Sequence, residues 1–112
     1  MKKVKYFRKM GKATNNWYLE SLGEPLDLEL PNGKIMHFAC EFYRGDGWRI
    51  TEMETGLLIQ NKYIPNKRAL TEYIKDNGFL TALARITNTE YYEKQKDELK
   101  QFLKNKARPM SL

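Results

Sequence analysis

A carboxylate and a lysine in the middle of the chain have the spacing of a metal-dependent nuclease site. In such enzymes an Asp on a hairpin strand is followed by an acid-x-Lys triplet. The carboxylates bind Mg²⁺ and the lysine orients the attacking water. Asp46 precedes the triplet at 60–62 (Gln-Asn-Lys) by fourteen residues, and Glu41 and Glu52 are further candidate ligands. The triplet has Gln in place of its acid, and Asp46 stands between two glycines, as turn residues do. A magnesium nuclease is therefore a remote prediction.

The single histidine and the single cysteine stand three residues apart, at His37 and Cys40. On a strand this separation places the two side chains on opposite faces, so they cannot bind the same metal ion. A tetrahedral zinc site needs two further Cys or His ligands, which the sequence lacks. We therefore predict no metal site, no catalytic residue and no cofactor, and we interpret Cys40 as a small buried apolar residue.

Lysines recur near both ends of the chain. Lys96, Lys100 and Lys104 are spaced by four residues, so on a helix they form one cationic ridge. Such lysines bind phosphate oxygens as point charges without reading base sequence. These three belong to the predicted nucleic-acid-binding residues, whose other members lie in the N-terminal arm: Lys2, Lys3, Lys5, Arg8 and Lys9.

The net charge of +6 is unevenly distributed. Residues 1–12 carry six basic groups and no acid, whereas residues 13–59 carry three basic and eight acidic groups. Residues 60–112 carry eleven basic and six acidic groups. An acidic middle between two basic ends favours a negatively charged partner, with DNA or RNA first among the candidates, although a cationic chain also gains solubility.

Aromatic residues are numerous for a chain of 112 residues, with two Trp, seven Tyr and five Phe. Some of them are therefore expected to be exposed rather than buried in the core. Exposed aromatic side chains beside arginine are typical anchors of protein interfaces. The predicted protein-binding residues are Trp17, Tyr43, Arg44, Trp48 and Arg49.

Strict alternation of apolar and acidic residues from Leu26 to Leu30 is the clearest strand signal. Asn32-Gly33 follows it, and this dipeptide is preferred in tight hairpins. We predict a four-stranded antiparallel meander over residues 26–60, preceded by a basic arm and an irregular or edge-strand segment at 1–25. The expected strands are Leu26–Leu30, 34–43, Trp48–Met53 and Leu57–Ile59.

The pattern becomes helical after Pro65. We predict that Asn66 caps a helix over 67–77 and that Gly78 ends it. A short apolar helix over 79–86 follows, and the sequence at 87–90 (Thr-Asn-Thr-Glu) matches a capping box that starts a last helix over about 88–107. Strands first and helices second indicate a single α+β domain over residues 1–112, with two to three helices packed on one face of a four- to five-stranded sheet.

Several classes of protein are excluded by composition. No apolar run approaches the roughly 20 residues of a membrane span, and the lysine-rich start lacks the apolar stretch of a secretory signal. One cysteine cannot form an internal disulfide, which fits a reducing compartment. We therefore expect a cytoplasmic protein without membrane contact.

From Gly47 to Asp76 a Trp-containing strand, a Thr-Gly turn, a short apolar strand and a helix follow one another. This order resembles a unit found in many small phage and plasmid proteins, and the abundance of Lys, Asn, Tyr and Ile resembles proteins of AT-rich bacteria and their mobile elements. The resemblance implies an inhibitor of a host defence nuclease. We expect a small non-enzymatic protein that docks on a protein or nucleoprotein partner. Non-specific DNA or RNA binding is the alternative, and homodimer formation stays open.

Overall fold

Four antiparallel strands form one sheet in the order β1-β2-β3-β4, and three helices follow them. The structure is a computed structural model that describes residues 2–10 and 18–107. It confirms the predicted α+β class. The elements are β1 Val4–Lys9, β2 Tyr18–Glu29, β3 Ile35–Tyr43, β4 Gly47–Glu52, α1 Lys67–Lys75, α2 Asn77–Ile86 and α3 Glu90–Ala107.

The second strand is twelve residues long and pairs with its two neighbours in succession. Residues 18–23 pair with β1, and residues 24–29 pair with β3. The change of partner falls at Gly23, where a Cβ would lie 3.0 Å from the carbonyl oxygen of Cys40 and 3.2 Å from both Ala39 and Tyr6. The strand predicted from Leu26 thus begins eight residues earlier, and part of the N-terminal segment joins the sheet as β1.

The two ends of the sheet approach each other. The amide of Lys9, at the end of β1, donates a hydrogen bond of 2.8 Å to the carbonyl of Gly56, in the loop after β4. β1 and β4 are the first and last strands of the order, so the sheet must curl to make this contact. Strong curling of this kind follows from the right-handed twist of strands and from a glycine at the bend.

The predicted fourth strand of the meander, Leu57–Ile59, is not a regular strand. Its backbone forms one isolated bridge, between Thr51 and Leu58, and the Ile59 amide donates to the Ile50 carbonyl at 3.0 Å. Beyond this point the side chain of Gln60 replaces a peptide unit. Its Oε1 accepts from the Ile50 amide at 2.5 Å and its Nε2 donates to the Trp48 carbonyl at 2.5 Å. A side-chain amide therefore satisfies the edge of β4 where a fifth strand would do so.

The hydrophobic core lies between one face of the sheet and the helices, as predicted. Alternate residues of β3 point into it, because the side chains of a strand alternate between faces. Cys40 is among them, and burial raises the pKa of its thiol to about 12. The buried cluster consists of Leu30, Met36, Phe38, Cys40, Ile50, Ile64, Leu70, Phe79, Leu83 and Tyr92.

The first helix starts as predicted and ends earlier. The Asn66 side chain accepts from the Ala69 amide at 2.8 Å, which confirms the N-cap. The predicted end at Gly78 is wrong because Asp76 caps the next helix, accepting from the Phe79 amide at 3.0 Å. An N-cap residue has extended backbone, so α1 stops at Lys75.

The capping box predicted at 87–90 is also wrong. Thr87 donates its hydroxyl to the Ala84 carbonyl at 2.8 Å and belongs to the end of α2. Thr89 accepts from the Tyr92 amide at 3.1 Å and is the residue that caps α3. Two threonines at the same junction compete for this role, and local sequence does not decide between them.

Within residues 2–10 and 18–107, no helix is both long and apolar enough to cross a membrane.

We predict that Gln60→Ala lowers the free energy of unfolding by about 1–3 kcal/mol, because the Ile50 amide and the Trp48 carbonyl lose their partner. Urea denaturation measures the change. Gln101→Ala, on the exposed face of α3, is the matched control and should stay within about 0.5 kcal/mol of wild type. Equal effects of the two substitutions would contradict the role assigned to the Gln60 amide.

Candidate interaction surface

The turn between β3 and β4 is held in one conformation by two glycines and by a neighbouring segment. Gly45 and Gly47 have φ angles of 90° and 75°, which side chains disfavour. The Asp46 amide donates to the Tyr43 carbonyl at 2.9 Å and closes the turn. On the far side of the hairpin the Trp48 amide donates to the Ile64 carbonyl at 2.7 Å. The hairpin tip is therefore anchored to the segment that precedes α1.

One face of this hairpin carries an aromatic surface, which we define as Phe42, Trp48 and Tyr63. Phe42 and Trp48 are paired across the two strands, and their ring centroids lie 5.8 Å apart in an edge-to-face contact. Tyr63 reaches the tip because Gly47 has no side chain, since a Cβ there would lie 2.9 Å from the Tyr63 ring. Phe42 is 52% exposed and Tyr63 is 62% exposed.

The indole of Trp48 has a fixed position within this surface. The Nζ of Lys67, on α1, lies 5.0 Å from the Trp48 ring centroid and 2.7 Å from the carboxylate of Glu24. A cation held over the indole face by a carboxylate orders both groups. Within the aromatic surface, Trp48 is therefore held in place by the fold, whereas Phe42 and Tyr63 are exposed to solvent.

A groove of about 870 Å³ adjoins the aromatic surface at Tyr63. It runs between residues 59–65 and the helices α1 and α2, with Tyr73 and Ile86 among its walls. Tyr73 also ties the two sides together, because its hydroxyl donates to the Asn61 side chain at 3.1 Å and accepts from the Asn61 amide at 3.2 Å. Both apolar and polar side chains line the groove.

The opposite face of the hairpin carries an arginine cluster, which we define as Arg8, Tyr43 and Arg49. The Cζ atoms of Arg8 and Arg49 lie 4.8 Å and 5.3 Å from the centroid of the Tyr43 ring. The curl of the sheet brings Arg8 to this place from β1. Asp46 lies 3.9 Å from the Arg49 guanidinium, and within the described residues the Nε of Arg8 is buried without a hydrogen-bond partner.

Glu41 is the polar centre beneath the arginine cluster. Its Oε1 accepts hydrogen bonds from the hydroxyls of Ser21 at 2.6 Å, Tyr6 at 2.7 Å and Tyr43 at 3.1 Å. Burial raises the pKa of Glu41, but these hydrogen bonds and the nearby Arg8 outweigh it, so the net pKa lies below its ordinary value. Burial raises the pKa of Tyr6 as well. At neutral pH an ionised Glu41 and a neutral Tyr6 therefore fix the orientation of Tyr43.

The two residues of the predicted nuclease pattern have separate partners. Asp46 faces Arg49, as noted above, and the Nζ of Lys62 lies 5.5 Å from the Tyr73 ring centroid. Among the described residues, no group of three Asp, Glu, His or Cys side chains is arranged to hold a metal ion. The carboxylate proposed as a further ligand, Glu52, is buried and accepts from the Glu54 amide and from the amide and hydroxyl of Thr55. This carboxylate stabilises a turn.

His37 lies on the exposed side of β3. Its Nδ1 is 2.7 Å from the carboxylate of Asp27, across the β2–β3 pairing. The hydrogen bond to Asp27 raises the pKa of His37, with a smaller opposing effect of desolvation. Cys40 is buried in the core and points to the other face, as the spacing predicts.

The predicted nucleic-acid-binding residues are seven lysines and Arg8, and they divide into those held in contacts within the fold and those that are exposed. Lys9 is largely buried, and its Nζ donates to Gln95 at 2.5 Å and to Glu98 at 2.8 Å, so it joins β1 to α3. Lys96 lies over the Tyr92 ring at 5.4 Å and 3.6 Å from Glu93. Arg8 belongs to the arginine cluster. The remaining members are exposed: Lys2, Lys3, Lys5, Lys100 and Lys104.

The predicted protein-binding residues are divided between the two hairpin faces. Tyr43 and Arg49 lie in the arginine cluster, Trp48 lies in the aromatic surface, and Arg44 is exposed in the turn between them. Trp17 lies outside the described residues.

The predicted protein-binding residues did not include Phe42, Tyr63 or the anchoring carboxylate Glu41, which the sequence offered only as a candidate metal ligand. The alternation along β3 places Phe42 on the core face and so hides its exposure at the end of the hairpin. No local pattern indicates that Tyr63 folds back onto the turn. The three hydroxyls around Glu41 come from three strands, so their convergence has no local sequence signal.

No family model, curated protein or solved structure matches the chain. The geometry of these surfaces is therefore the basis for a functional proposal.

We predict that Gly47→Ala is more destabilising than Gly45→Ala. Both positions have positive φ, which costs about 1–2 kcal/mol for a side chain. At Gly47 the added Cβ meets the Ile64 carbonyl oxygen, whereas at Gly45 no atom of the described residues lies within 4 Å of it. The difference should be about 1–3 kcal/mol in chemical denaturation. Equal losses would show that Ile64 moves freely away from the hairpin.

We predict that Glu41→Gln lowers the free energy of unfolding at pH 7 by about 1–3 kcal/mol, since hydrogen bonds to a carboxylate are lost. The folded pKa of Glu41 is below its unfolded value, so this stabilisation is present above the unfolded pKa and is lost as the pH falls through the folded pKa. The difference between wild type and variant should therefore shrink on acidification. Glu29→Gln, at an exposed position of β2, should have little effect at either pH. A gap that widens in acid would contradict this role.

Proposed function

We propose that this is a small non-enzymatic binding protein that docks on a protein or nucleoprotein partner through the tip of the β3–β4 hairpin. The observation that supports the proposal is the exposure of Phe42 and Tyr63 beside the half-buried Trp48 on a rigid turn. Large aromatic side chains that stay exposed on an ordered element are typical anchors of an interface.

The β3–β4 turn and Trp48 are held rigidly by their neighbours. The turn is closed by its own hydrogen bond and tied to Ile64, and Trp48 is held by Lys67. Binding to ordered aromatic groups costs little conformational entropy, because few rotamers are lost on association. Exposed side chains on a mobile loop would not have this advantage.

The chemistry around the aromatic surface indicates what the partner must provide. Arg44 lies at the turn, and Arg49 lies on the other side of the hairpin, where Tyr43 orients it. Guanidinium groups at the edge of an apolar contact pair with carboxylates or phosphates. The partner proposed here therefore has an apolar pocket for Phe42 or Tyr63 and acidic groups at its rim.

A cytoplasmic partner, and an origin in phage or mobile elements, are part of this proposal. Their support is the composition of the chain and its single buried cysteine. Inhibition of a host nuclease is one activity that a binding protein of this kind can have.

We predict that a benzophenone amino acid at position 63 forms a covalent adduct with the partner on irradiation in the native cells, whereas the same group at position 91 does not. Tyr91 is the matched control, because it is an aromatic residue of similar exposure, 58% against 62%. Denaturing gels and mass spectrometry identify the adduct. Phe42→Ala and Tyr63→Ala should each weaken binding of that identified partner by roughly 30-fold, the effect of a hot-spot residue.

Adducts of equal yield from both positions, or from neither, would refute the aromatic surface as the docking site. An adduct of two copies of this chain would instead make the surface a homodimer interface and would overturn the proposal of a separate partner. Circular dichroism of the alanine variants checks that the fold is retained.

A further inference from the structure

We infer that a lysine surface at the start of β1 and the end of α3 binds the phosphate backbone of a nucleic acid. We define this lysine surface as Lys2, Lys3, Lys5, Lys100 and Lys104. Its two parts are separated by about 95 residues of sequence. The inference does not rest on the docking function proposed above.

The contacts between β1 and α3 show that the two basic segments meet. Lys9 contacts Glu98 near the middle of α3, and two residues earlier in β1 the Phe7 ring lies 6.1 Å from the Phe102 ring, further along the helix. β1 and α3 therefore run in opposite directions. The first residues of β1 lie toward the last turns of α3, so the lysines of both segments are at the same end of the helix axis. Lys100 and Lys104 project from the side of α3 that faces away from β1.

The packing also explains which lysines are available. Lys9 and Glu98 neutralise each other in the contact, and their side chains are only 15% and 21% exposed. Lys5 is 3.6 Å from Glu20, and its own side chain is 62% exposed. Within the described residues, no carboxylate oxygen lies within 4.0 Å of the Nζ of Lys2, Lys3, Lys100 or Lys104. Asp97 lies one turn before Lys100 on α3, and Glu54 lines a small pocket together with Lys100. The five lysines still outnumber their acidic neighbours at this end, which are Glu20, Glu54 and Asp97.

A nucleic acid suits these groups better than an acidic protein does. An exposed pair between one lysine and one carboxylate contributes little to affinity, because solvent screens it. A polyanion adds the release of condensed counterions for every phosphate that a lysine neutralises. Lys100 and Lys104 are about 6 Å apart along the helix, so both can contact phosphates of one strand.

An anionic membrane is a poorer match because a surface-bound helix inserts its apolar residues into lipid. In α3 three of the apolar residues already pack inside the fold, whereas Leu103 is 37% exposed. Tyr92 and Leu99 are buried, and the Phe102 ring contacts Phe7 and Tyr18.

The test is fluorescence anisotropy of a labelled 20-nucleotide single-stranded DNA and of the corresponding duplex, titrated at several salt concentrations. Wild type is compared with Lys100→Gln/Lys104→Gln and with Lys2→Gln/Lys3→Gln. The control is Lys75→Gln/Lys94→Gln, which changes the net charge equally at exposed lysines away from this end. We expect each surface double variant to bind at least tenfold more weakly at low salt. Each should also lower the slope of log affinity against log salt by about 1.4–1.8, whereas the control should keep the wild-type slope.

Absence of binding to either DNA at low salt would overturn the inference. Equal weakening by the control pair would also overturn it, because net charge and not this surface would then be responsible. Phosphatidylserine vesicles form a third arm, and binding to them with the same lysine dependence but without DNA binding would assign the surface to a membrane. Thermal unfolding of all variants confirms that exposed Lys→Gln changes leave the fold intact.

Discussion

The close approach of β1 and β3 across Gly23 is the constraint on which much of the molecule depends. A Cβ at this position would lie 3.0 Å from the Cys40 carbonyl oxygen and 3.2 Å from Tyr6, so these neighbours would have to shift by a few tenths of an ångström. Because glycine leaves the space open, Tyr6 is buried against Ala39 and its hydroxyl reaches Glu41. The same bend turns β1 toward the loop after β4 and toward α3. Both proposed surfaces therefore depend on one point at which β2 changes partners.

Buried polar side chains give the curled sheet its defined shape. Glu41 gathers hydroxyls from β1, β2 and β3, Gln60 completes the edge of β4, and Glu52 stabilises the following turn. A polar group that loses water must find partners, so each of these residues specifies one arrangement of neighbouring backbone. Burying such a group disfavours its charged form. In Glu52, burial raises the pKa of the carboxyl even though three hydrogen bonds oppose the shift.

The two surfaces use different physical chemistry. At the hairpin tip the exposed groups are aromatic rings and guanidinium groups on a rigid turn, which suit a specific contact of limited area. At the end formed by β1 and α3 they are flexible lysines, which suit a contact that depends on charge and salt but not on sequence. Several acidic residues in the middle of the chain have a basic partner, such as Glu24 with Lys67 and Asp46 with Arg49. Because of this pairing, the basic ends of the chain dominate the electrostatic potential around the molecule.

The sequence alone determined the class of the fold, most of β3 and β4, the Asn66 cap and the positions of the helices, because these depend on local periodicity and on turn residues. It also indicated that Tyr43, Arg49 and Trp48 are candidates for binding. Only the tertiary structure decided that Arg8 joins Tyr43, that Tyr63 lies on Gly47, and that Lys9 is occupied by α3 while Lys5 is not buried. Contacts of this kind join residues that are far apart in sequence. They follow from the curl of the sheet, whose origin is packing across Gly23 and not a repeating pattern in the chain.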